Sequence, residues 1–226
     1  MQPIYFYLDL FTISGPFILS FDRKVAFYKS WKYLFPAILV MGAFFIAKDA
    51  VFAAWGIWGF NDRYLLGPRL LGLPLEEWLF FVVVPYALVF IDACLRAYFP
   101  GDPLQKVHRP FVAILTLILL VTGLIFAERL YTSVVFVLTA CLLCYHLYRR
   151  TPWLSLFLRA WLVSFIPFFL VNGILTGSLL DEPIVWYNDT HNLGIRMITI
   201  PIEDSMYNLL MFLMTTQIME WLKKKY

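Results

Sequence analysis

The sequence runs Asn61-Asp62-Arg63-Tyr64-Leu65-Leu66-Gly67-Pro68-Arg69 and then Pro74-Leu75-Glu76-Glu77, and it repeats this motif as Asn188-Asp189-Thr190-His191-Asn192-Leu193-Gly194-Ile195-Arg196 followed by Pro201-Ile202-Glu203-Asp204. Without a gap, Asn, Asp, Leu, Gly, Arg, Pro and Glu recur in register. These are mostly the polar and turn-forming residues of an apolar chain, so composition does not explain the repeat. Paired carboxylates that recur in apolar surroundings indicate acid–base chemistry or ion handling at two related sites.

The composition around the two motifs is that of a membrane protein. Hydrophobic residues make up 62% and charged residues 15% of the 226 residues, whereas soluble domains are nearer half apolar and a quarter charged. Apolar stretches of sufficient length predict seven transmembrane helices. These lie at roughly residues 4–21, 33–54, 75–98, 110–126, 131–147, 154–180 and 203–222.

The repeat extends beyond the motifs into the predicted helices. Pro36 and Gly42 recur as Pro167 and Gly173 at the same mutual spacing. We therefore predict an all-α integral membrane protein with two three-helix repeats, residues 1–105 and 131–226, joined by one linking transmembrane helix in residues 106–130. The linking helix lets both repeats have the same orientation in the membrane, so they are expected to be parallel.

Basic residues are concentrated in every second segment that follows a predicted helix. They cluster after the first, third, fifth and seventh helices, as Arg23, Lys24, Lys29 and Lys32, then Arg96, Lys106 and Arg109, then Arg149 and Arg150, then Lys223, Lys224 and Lys225. The positive-inside rule predicts a multi-pass protein of the cell inner membrane with its N-terminus outside and its C-terminus cytoplasmic. Both motifs then lie on the outer side. This topology accounts for the net charge of +3, and no nucleic-acid partner is expected.

The paired carboxylates are the candidate catalytic residues: Glu76, Glu77, Glu203 and Asp204. The preceding prolines suit a helix start, where the helix dipole favours the ionised form. Burial at the membrane boundary favours the protonated form, and adjacent carboxyls resist joint ionisation. These opposing effects can leave one carboxyl protonated, as a general acid, and its neighbour ionised, as a carboxylate that stabilises a cation. Acidic residues after a proline are also ordinary at helix starts, but two copies in matching sequence favour a function.

Aromatic and polar residues near the motifs are candidates for binding the substrate. Trp58, Trp78 and Tyr207 are predicted to stabilise a cation with their ring faces, although Trp and Tyr are also common at membrane interfaces. Asp49 lies within a predicted span toward the outer end, and Asn208 is four residues beyond Asp204.

Two further features concern charge pairing and cofactors. Lys48 and Asp49 are adjacent, so we expect them to point to different faces of their helix and to need partners elsewhere. The pair Cys141 and Cys144 is interpreted as small apolar residues in a helix rather than as metal ligands. Because the sequence contains no dinucleotide, phosphate-loop or metalloprotease motif, we expect neither a cofactor nor a metal.

Several further segments of the chain form a joint pattern with the two motifs. They are Phe21-Asp22-Arg23-Lys24, Phe35-Pro36, Asp49-x-x-Phe52, Gly56-Ile57-Trp58-Gly59-Phe60-Asn61, Pro74-Leu75-Glu76-Glu77-x-Leu79-Phe80-Phe81, Pro85-Tyr86 and Pro201-Ile202-Glu203-Asp204-x-x-Tyr207-Asn208. In these segments, and along nearly its whole length, the sequence resembles the lycopene cyclase domain family, the membrane-embedded type, in its fused single-chain form.

The resemblance implies a lycopene β-cyclase, an intramolecular lyase or isomerase of carotenoid biosynthesis. Protonation of a linear ψ end would start a redox-neutral ring closure, converting lycopene to γ-carotene and then to β-carotene. The implied partners are these carotenoids and membrane lipid, and association with other enzymes of carotenoid biosynthesis is compatible with the resemblance. A cyclase of longer C50 carotenoids, a proton-coupled transporter and a pigment-binding protein remain alternatives. The two repeats differ, since Asp204 and Tyr207-Asn208 stand where the first repeat has Glu77 and Phe80-Phe81, so their roles are expected to differ.

Overall fold

Seven α-helices dominate the structure, a computed structural model that describes residues 2–226. They are α1 (Ile4–Leu19), α2 (Trp31–Ala54), α3 (Leu75–Tyr98), α4 (His108–Ile125), α5 (Leu130–Tyr148), α6 (Leu154–Leu175) and α7 (Ile202–Lys225). Five of them, α2 to α6, are long and apolar enough to cross a membrane. The chain is therefore a mostly helical membrane protein.

The remaining two helices differ from the five for separate reasons. Helix α1 is apolar but has only 16 residues. Helix α7 carries the second pair of acids at its start and three lysines at its end. Most residues of α7 between Glu203 and Thr216 are buried against other helices, and a helix that is shielded from lipid does not need an apolar outer surface.

The end of α6 differs from the prediction of a span to residue 180. The helix ends at Leu175. The hydroxyl of Thr176 donates to the carbonyl of Asn172 at 2.9 Å, and Gly177 follows with φ of 107°. A glycine at positive φ ends a helix readily, because it has no Cβ to clash.

Six short strands accompany the helices, which the all-α prediction did not include. They are β1 (Trp58–Phe60), β2 (Arg69–Leu70), β3 (Leu73–Pro74), β4 (Val185–Tyr187), β5 (Arg196–Met197) and β6 (Ile200–Pro201). Strands β2 and β3 form a hairpin within residues 61–74, the first motif loop, and β5 and β6 form one within residues 188–201, the second motif loop. Each hairpin leads directly into a long helix, α3 or α7.

Strands β1 and β4 join the two halves of the chain. They pair antiparallel, with Trp58 opposite Tyr187. Beyond the ladder, the amide of Asn61 donates to the carbonyl of Ile184 at 2.9 Å, and the amide of Asn188 donates to the carbonyl of Ile57 at 2.9 Å. The two motif loops are thereby held side by side.

The helices of the two halves interlock. Helix α1 packs on α3, and α5 packs on α7 in the same way. Helix α2 packs on α7 of the other half, and α6 packs on α3. Helix α4 packs mainly against α5. Helices α3 and α7 therefore form the centre of the bundle, and each brings one pair of acids to it.

Candidate functional site

The first acid of each motif fastens the motif loop to the helix that follows it. Glu76 is fully buried and accepts a hydrogen bond from the amide of Leu66 at 2.5 Å. Glu203 is equally buried and accepts from the amide of Leu193 at 2.7 Å. Glu203 also accepts from the hydroxyl of Thr132 at 2.6 Å. The contacts with the amides of Leu66 and Leu193 recur at equivalent positions of the two repeats and give the first acids a local structural role.

An arginine clamps each hairpin. Arg69 contacts Asp62 at 2.5 Å and donates to the carbonyl of Gly72 at 3.1 Å. Arg196 makes the equivalent contacts, at 2.6 Å to Asp189 and at 3.0 Å to the carbonyl of Thr199. The recurrence explains why the motif preserves an aspartate and an arginine seven residues apart.

The carboxylate of Asp189 is held in its ionised form. The side-chain amide of Asn192 donates to it at 3.0 Å, and the guanidinium of Arg196 lies on the same oxygen. Donors of this kind favour the charged carboxylate, so they lower the pKa of Asp189 below its usual value.

The second acid of each motif faces a cavity. The cavity has a volume of about 670 Å³, and both Glu77 and Asp204 line it. The two residues come from different repeats, on α3 and α7, so the cavity is shared by both repeats. Neither Glu76 nor Glu203 lines it.

The two carboxylates of the cavity differ in their hydrogen bonds. Glu77 accepts one, from the hydroxyl of Tyr5 at 2.6 Å. Asp204 accepts three: on one oxygen from the hydroxyl of Tyr131, and on the other from the amide of Asn172 at 2.8 Å and the hydroxyl of Tyr187 at 2.9 Å. Both oxygens of Asp204 are therefore occupied by donors.

Aromatic rings form the wall of the cavity beside the acids. The ring of Trp58 lies edge-on to those of Tyr131, Tyr187 and Tyr207, with centroids 5.1, 5.9 and 6.0 Å away. All four residues line the cavity. The site thus presents electron-rich rings and two carboxylates to one space, which suits a positively charged intermediate.

An ion pair lies behind this wall. The ammonium of Lys48 is 2.8 Å from a carboxylate oxygen of Asp49, and the other oxygen accepts from the hydroxyl of Tyr207 at 2.6 Å. The same ammonium lies 4.1 Å from the ring centroid of Tyr207 and 4.9 Å from that of Trp58. The expectation that Lys48 needs a partner other than Asp49 is wrong, because the flexible lysine side chain bends back to its neighbour, whereas Asp49 does take a second partner, Tyr207, from α7.

The other predicted site residues lie in different places. Asn208 lines the cavity and donates to the hydroxyl of Ser164 at 3.4 Å. Asp49 is fully buried and does not line the cavity. Trp78 does not line it either, and its indole donates to the carbonyl of Leu70 at 3.2 Å in the first motif loop.

Four residues that contact the two acids were not among the predicted site residues: Tyr5, Tyr131, Asn172 and Tyr187. A signal was present for three of them. Tyr5 and Tyr131 are each the second residue of the first helix of a repeat. Asn172 is a polar residue within a predicted span, which is itself a reason to expect a function. Tyr187 adjoins the second motif but is not distinguished there from an interfacial tyrosine.

The comparison with protein families gives one result. The family model described as lycopene cyclase matches residues 2–95 and 128–222, one segment in each half of the chain. The intervening residues include α4. No curated protein and no solved structure matches the chain.

Proposed function

Because the chain belongs to the lycopene cyclase family, we propose that it is a lycopene β-cyclase that closes β-ionone rings at the ψ ends of lycopene. The observation that supports this most is that Glu77 and Asp204, from different repeats, line the same cavity. An acid, a base and aromatic ring faces in one apolar space are what a proton-initiated ring closure needs.

Glu77 is our candidate for the proton donor. One of its oxygens accepts from Tyr5, and within residues 2–226 the other has no hydrogen-bond donor on it. That oxygen can carry a proton and deliver it to the terminal double bond of a ψ end. The neighbouring double bond then attacks the resulting tertiary cation and closes the six-membered ring.

Asp204 is our candidate for the base. Three donors contact its two oxygens, and hydrogen bonds donated to a carboxylate favour its ionised form. An ionised carboxylate stabilises the ring cation and then removes a ring proton to leave the β-ionone double bond. One turnover moves a proton from Glu77 to Asp204, and its return restores the resting state without any redox change.

The remaining predicted residues have supporting roles in this proposal. Glu76 and Glu203 position the two helix starts through their buried contacts with the loop amides. Trp58 and Tyr207 present ring faces to the cation, and Asn208 contributes to the cavity wall. Asp49 compensates the charge of Lys48 behind the wall. We assign Trp78 to the motif loop.

The topology adds a prediction about intermediates. If the N-terminus is outside and the C-terminus cytoplasmic, as proposed for an inner-membrane protein, both motif loops lie on the outer side. One cavity then handles one ψ end at a time, so γ-carotene is released or rebound before the second ring forms. The domain limits 1–105, 106–130 and 131–226 remain part of this proposal.

The test is expression in a lycopene-accumulating bacterium, with pigments separated by chromatography over time. We expect γ-carotene early and β-carotene later, and unchanged lycopene in cells that express Glu77→Gln at the same membrane level. Unchanged lycopene with the wild-type protein present in the membrane would contradict the proposal. Supplying C50 carotenoids in the same host tests the alternative substrate class, and an ε ring in the product would show that the base removes a different proton.

A further inference from the structure

The cavity is elongated and has a polar and an apolar end. Along α3 its lining residues run from Glu77 to Ile91, a distance of about 21 Å at the α-helical rise of roughly 1.5 Å per residue. The carboxylates and their hydrogen-bond donors lie at the start of this run. The far end is lined by apolar residues such as Leu88, Ile91 and Met211.

The hydroxyl groups along the cavity do not make its far end polar. Thr12 lines the cavity, but its hydroxyl donates to the carbonyl of Leu8 at 2.8 Å. Ser14 also lines it, and its hydroxyl donates to the carbonyl of Phe11 at 2.9 Å. Both hydroxyls are satisfied by their own helix, so the wall of α1 offers a largely apolar surface.

The cavity reaches the outside of the helix bundle between α1 and α6. Helices α1 and α6 each pack on α3 and make few direct contacts with each other. The residues that line the cavity on either side of this seam are also exposed: Phe11 by 60% on α1, and Ile166 by 75% and Leu170 by 51% on α6. In a membrane protein this apolar seam faces lipid, not water.

We propose that the seam between α1 and α6 is the portal through which a linear apolar polyene enters the site from the lipid phase, end first. The reacting end then lies at Glu77 and Asp204, and the chain lies along α3 toward Ile91. This proposal rests on the proposed cyclase function.

The length of the cavity indicates how much of the chain it holds. A polyene comparable in length to the hydrocarbon core, roughly 30 Å, exceeds a cavity of about 21 Å along α3. The unreacted end therefore protrudes through the seam into lipid. The substrate class follows from the lining, which suits long, acyclic and apolar chains with one reactive end inside.

Gly15 offers a way to close the portal without disturbing the fold. It lines the cavity on α1, and a Cβ built on it meets no atom within 4 Å. A large side chain there extends into the passage instead of clashing. The variant Gly15→Trp is expected to slow lycopene consumption at least 10-fold, while its thermal unfolding in detergent stays at the wild-type temperature.

A matched control lies on the same helix. Ile18 is 69% exposed and does not line the cavity, so Ile18→Trp is expected to cyclise lycopene at the wild-type rate. On the other side of the seam, Leu170→Trp is expected to slow the reaction and Leu162→Trp, which lies outside the cavity lining, is not. This second pair tests the portal if Gly15→Trp does not reach the membrane.

A binding measurement separates access from chemistry. In a Glu77→Gln background, lycopene added in micelles is expected to load into the purified protein, as followed by its absorbance over time, and adding Gly15→Trp is expected to slow the loading by the same factor as the reaction, with the final amount of bound pigment unchanged. Wild-type rates in both Gly15→Trp and Leu170→Trp would overturn the portal and leave the cyclase proposal standing. Failure of the wild-type protein to form rings would instead overturn the proposed function.

Discussion

The two adjacent acids of each motif have different surroundings although they are neighbours in the sequence. Glu76 accepts a hydrogen bond from the amide of Leu66, whereas Glu77 faces the cavity and accepts one from the hydroxyl of Tyr5. Neighbouring residues on a helix point in directions about 100° apart, so one side chain can contact the loop while the other faces the cavity. We therefore propose that the motif combines, in consecutive positions, an acid that fixes the loop and an acid that takes part in the reaction.

This division predicts different outcomes for two amide substitutions. Glu77→Gln removes the proposed proton donor and keeps the shape of the side chain, so ring formation should fall by about 100-fold or more, the usual contribution of a general acid. Glu76→Gln keeps a carbonyl oxygen that can accept from Leu66, so activity should stay within a few-fold of wild type. Pigment chromatography with immunoblots of the membrane fraction measures both. Equal loss of activity in the two variants at equal protein level would contradict the division.

The ion pair of Lys48 and Asp49 allows a second prediction at this scale. Removing one partner of a buried pair leaves an uncompensated charge and costs about 3–5 kcal/mol, whereas replacing both is often neutral. Lys48→Met should therefore lower the thermal stability more than Lys48→Met combined with Asp49→Asn. Thermal unfolding in detergent compares the two. If the double variant were less stable than Lys48→Met, the pair would stabilise the protein by more than the neutralisation of its two charges.

The sequence identified the four acids but did not distinguish their roles. Their repetition in register was visible in one dimension, whereas the choice of Glu77 and Asp204 for the cavity depends on how α3 and α7 are rotated in the bundle. The contact between Lys48 and Asp49 was missed because helical spacing describes where the Cβ atoms point. It does not describe how far a four-carbon side chain can bend back.

At the scale of the elements, the ladder of β1 and β4 is the link that holds the two motif loops together. Gly59 lies in β1 opposite Trp186 of β4. A Cβ built on Gly59 would lie 2.2 Å from the indole ring of Trp186, which is closer than real Cβ atoms approach. The absence of a side chain at Gly59 is thus what allows the tryptophan to cover the ladder.

Gly59→Ala is expected to displace the indole and to destabilise the protein by about 1–3 kcal/mol, the usual cost of overpacking. The cost should vanish in a Trp186→Ala background, where the new methyl group no longer meets the ring. Gly101→Ala is a second control, because a Cβ there meets no atom within 4 Å. Thermal unfolding of the four variants measures the coupling. If Gly59→Ala destabilised the protein equally in the Trp186→Ala background, the clash would lie with the strand ladder and not with the indole.

The clamp of the second hairpin gives a pH-dependent prediction. The folded pKa of Asp189 lies below its usual value because Asn192 and Arg196 favour the carboxylate. Its contribution to stability is therefore present above the unfolded pKa of about 3.9 and is lost as the pH falls through the folded value. Asp189→Asn should lower the free energy of unfolding at neutral pH by less than about 1 kcal/mol, because the side chain is largely exposed, and should have no effect at the acidic end.

The measurement is thermal unfolding as a function of pH, with Asp181→Asn as the control. The carboxylate of Asp181 is 85% exposed and lies 3.7 Å from Arg63, so its loss should matter less at every pH. An Asp189→Asn variant that follows the wild-type curve throughout would argue against the clamp.

The elements themselves were largely predictable, with two exceptions. The seven helices of the structure lie within the seven apolar stretches or extend them by a turn, because long apolar runs have few alternatives in lipid. The prediction for α6 ran past Leu175 because no charged residue lies between Leu175 and the apolar pair Leu179 and Leu180, and hydropathy does not detect the glycine turn at Gly177. The strands were missed because hairpins of two-residue strands and a ladder of three-residue strands are too short to show a periodic sequence pattern.

At the scale of the whole molecule, the main result that the sequence did not supply is that the two repeats share one cavity. Two copies of a motif suggested two related sites. The interlocked packing of α2 on α7 and of α6 on α3 instead brings Glu77 and Asp204 to the same space. Neither repeat contains the proposed acid and base together, so we propose that neither is an enzyme by itself.

A comparison of single variants tests the shared site. If each repeat were an independent centre, Glu77→Gln or Asp204→Asn alone would leave roughly half of the activity, because independent sites contribute additively. A shared site predicts that either substitution removes nearly all ring formation and that the double variant is no worse. The initial rate of γ-carotene formation measures all three. Residual activity near half in each single variant, lost only in the double variant, would mean that the repeats work separately.

Coexpression of the two single variants tests whether two copies of the chain can complement each other. Glu77 and Asp204 lie in one chain and line one cavity, so a chain that lacks either acid cannot be completed by a neighbour unless helices exchange between copies. Cells that contain both Glu77→Gln and Asp204→Asn proteins are therefore expected to accumulate lycopene unchanged.

Coexpression of separate halves, residues 1–130 and 131–226, is the opposite case, because there each partner supplies one acid to the same bundle. Ring formation by the two halves, together with none by the two full-length variants, would support a shared site within one chain, and ring formation by the two full-length variants would contradict it.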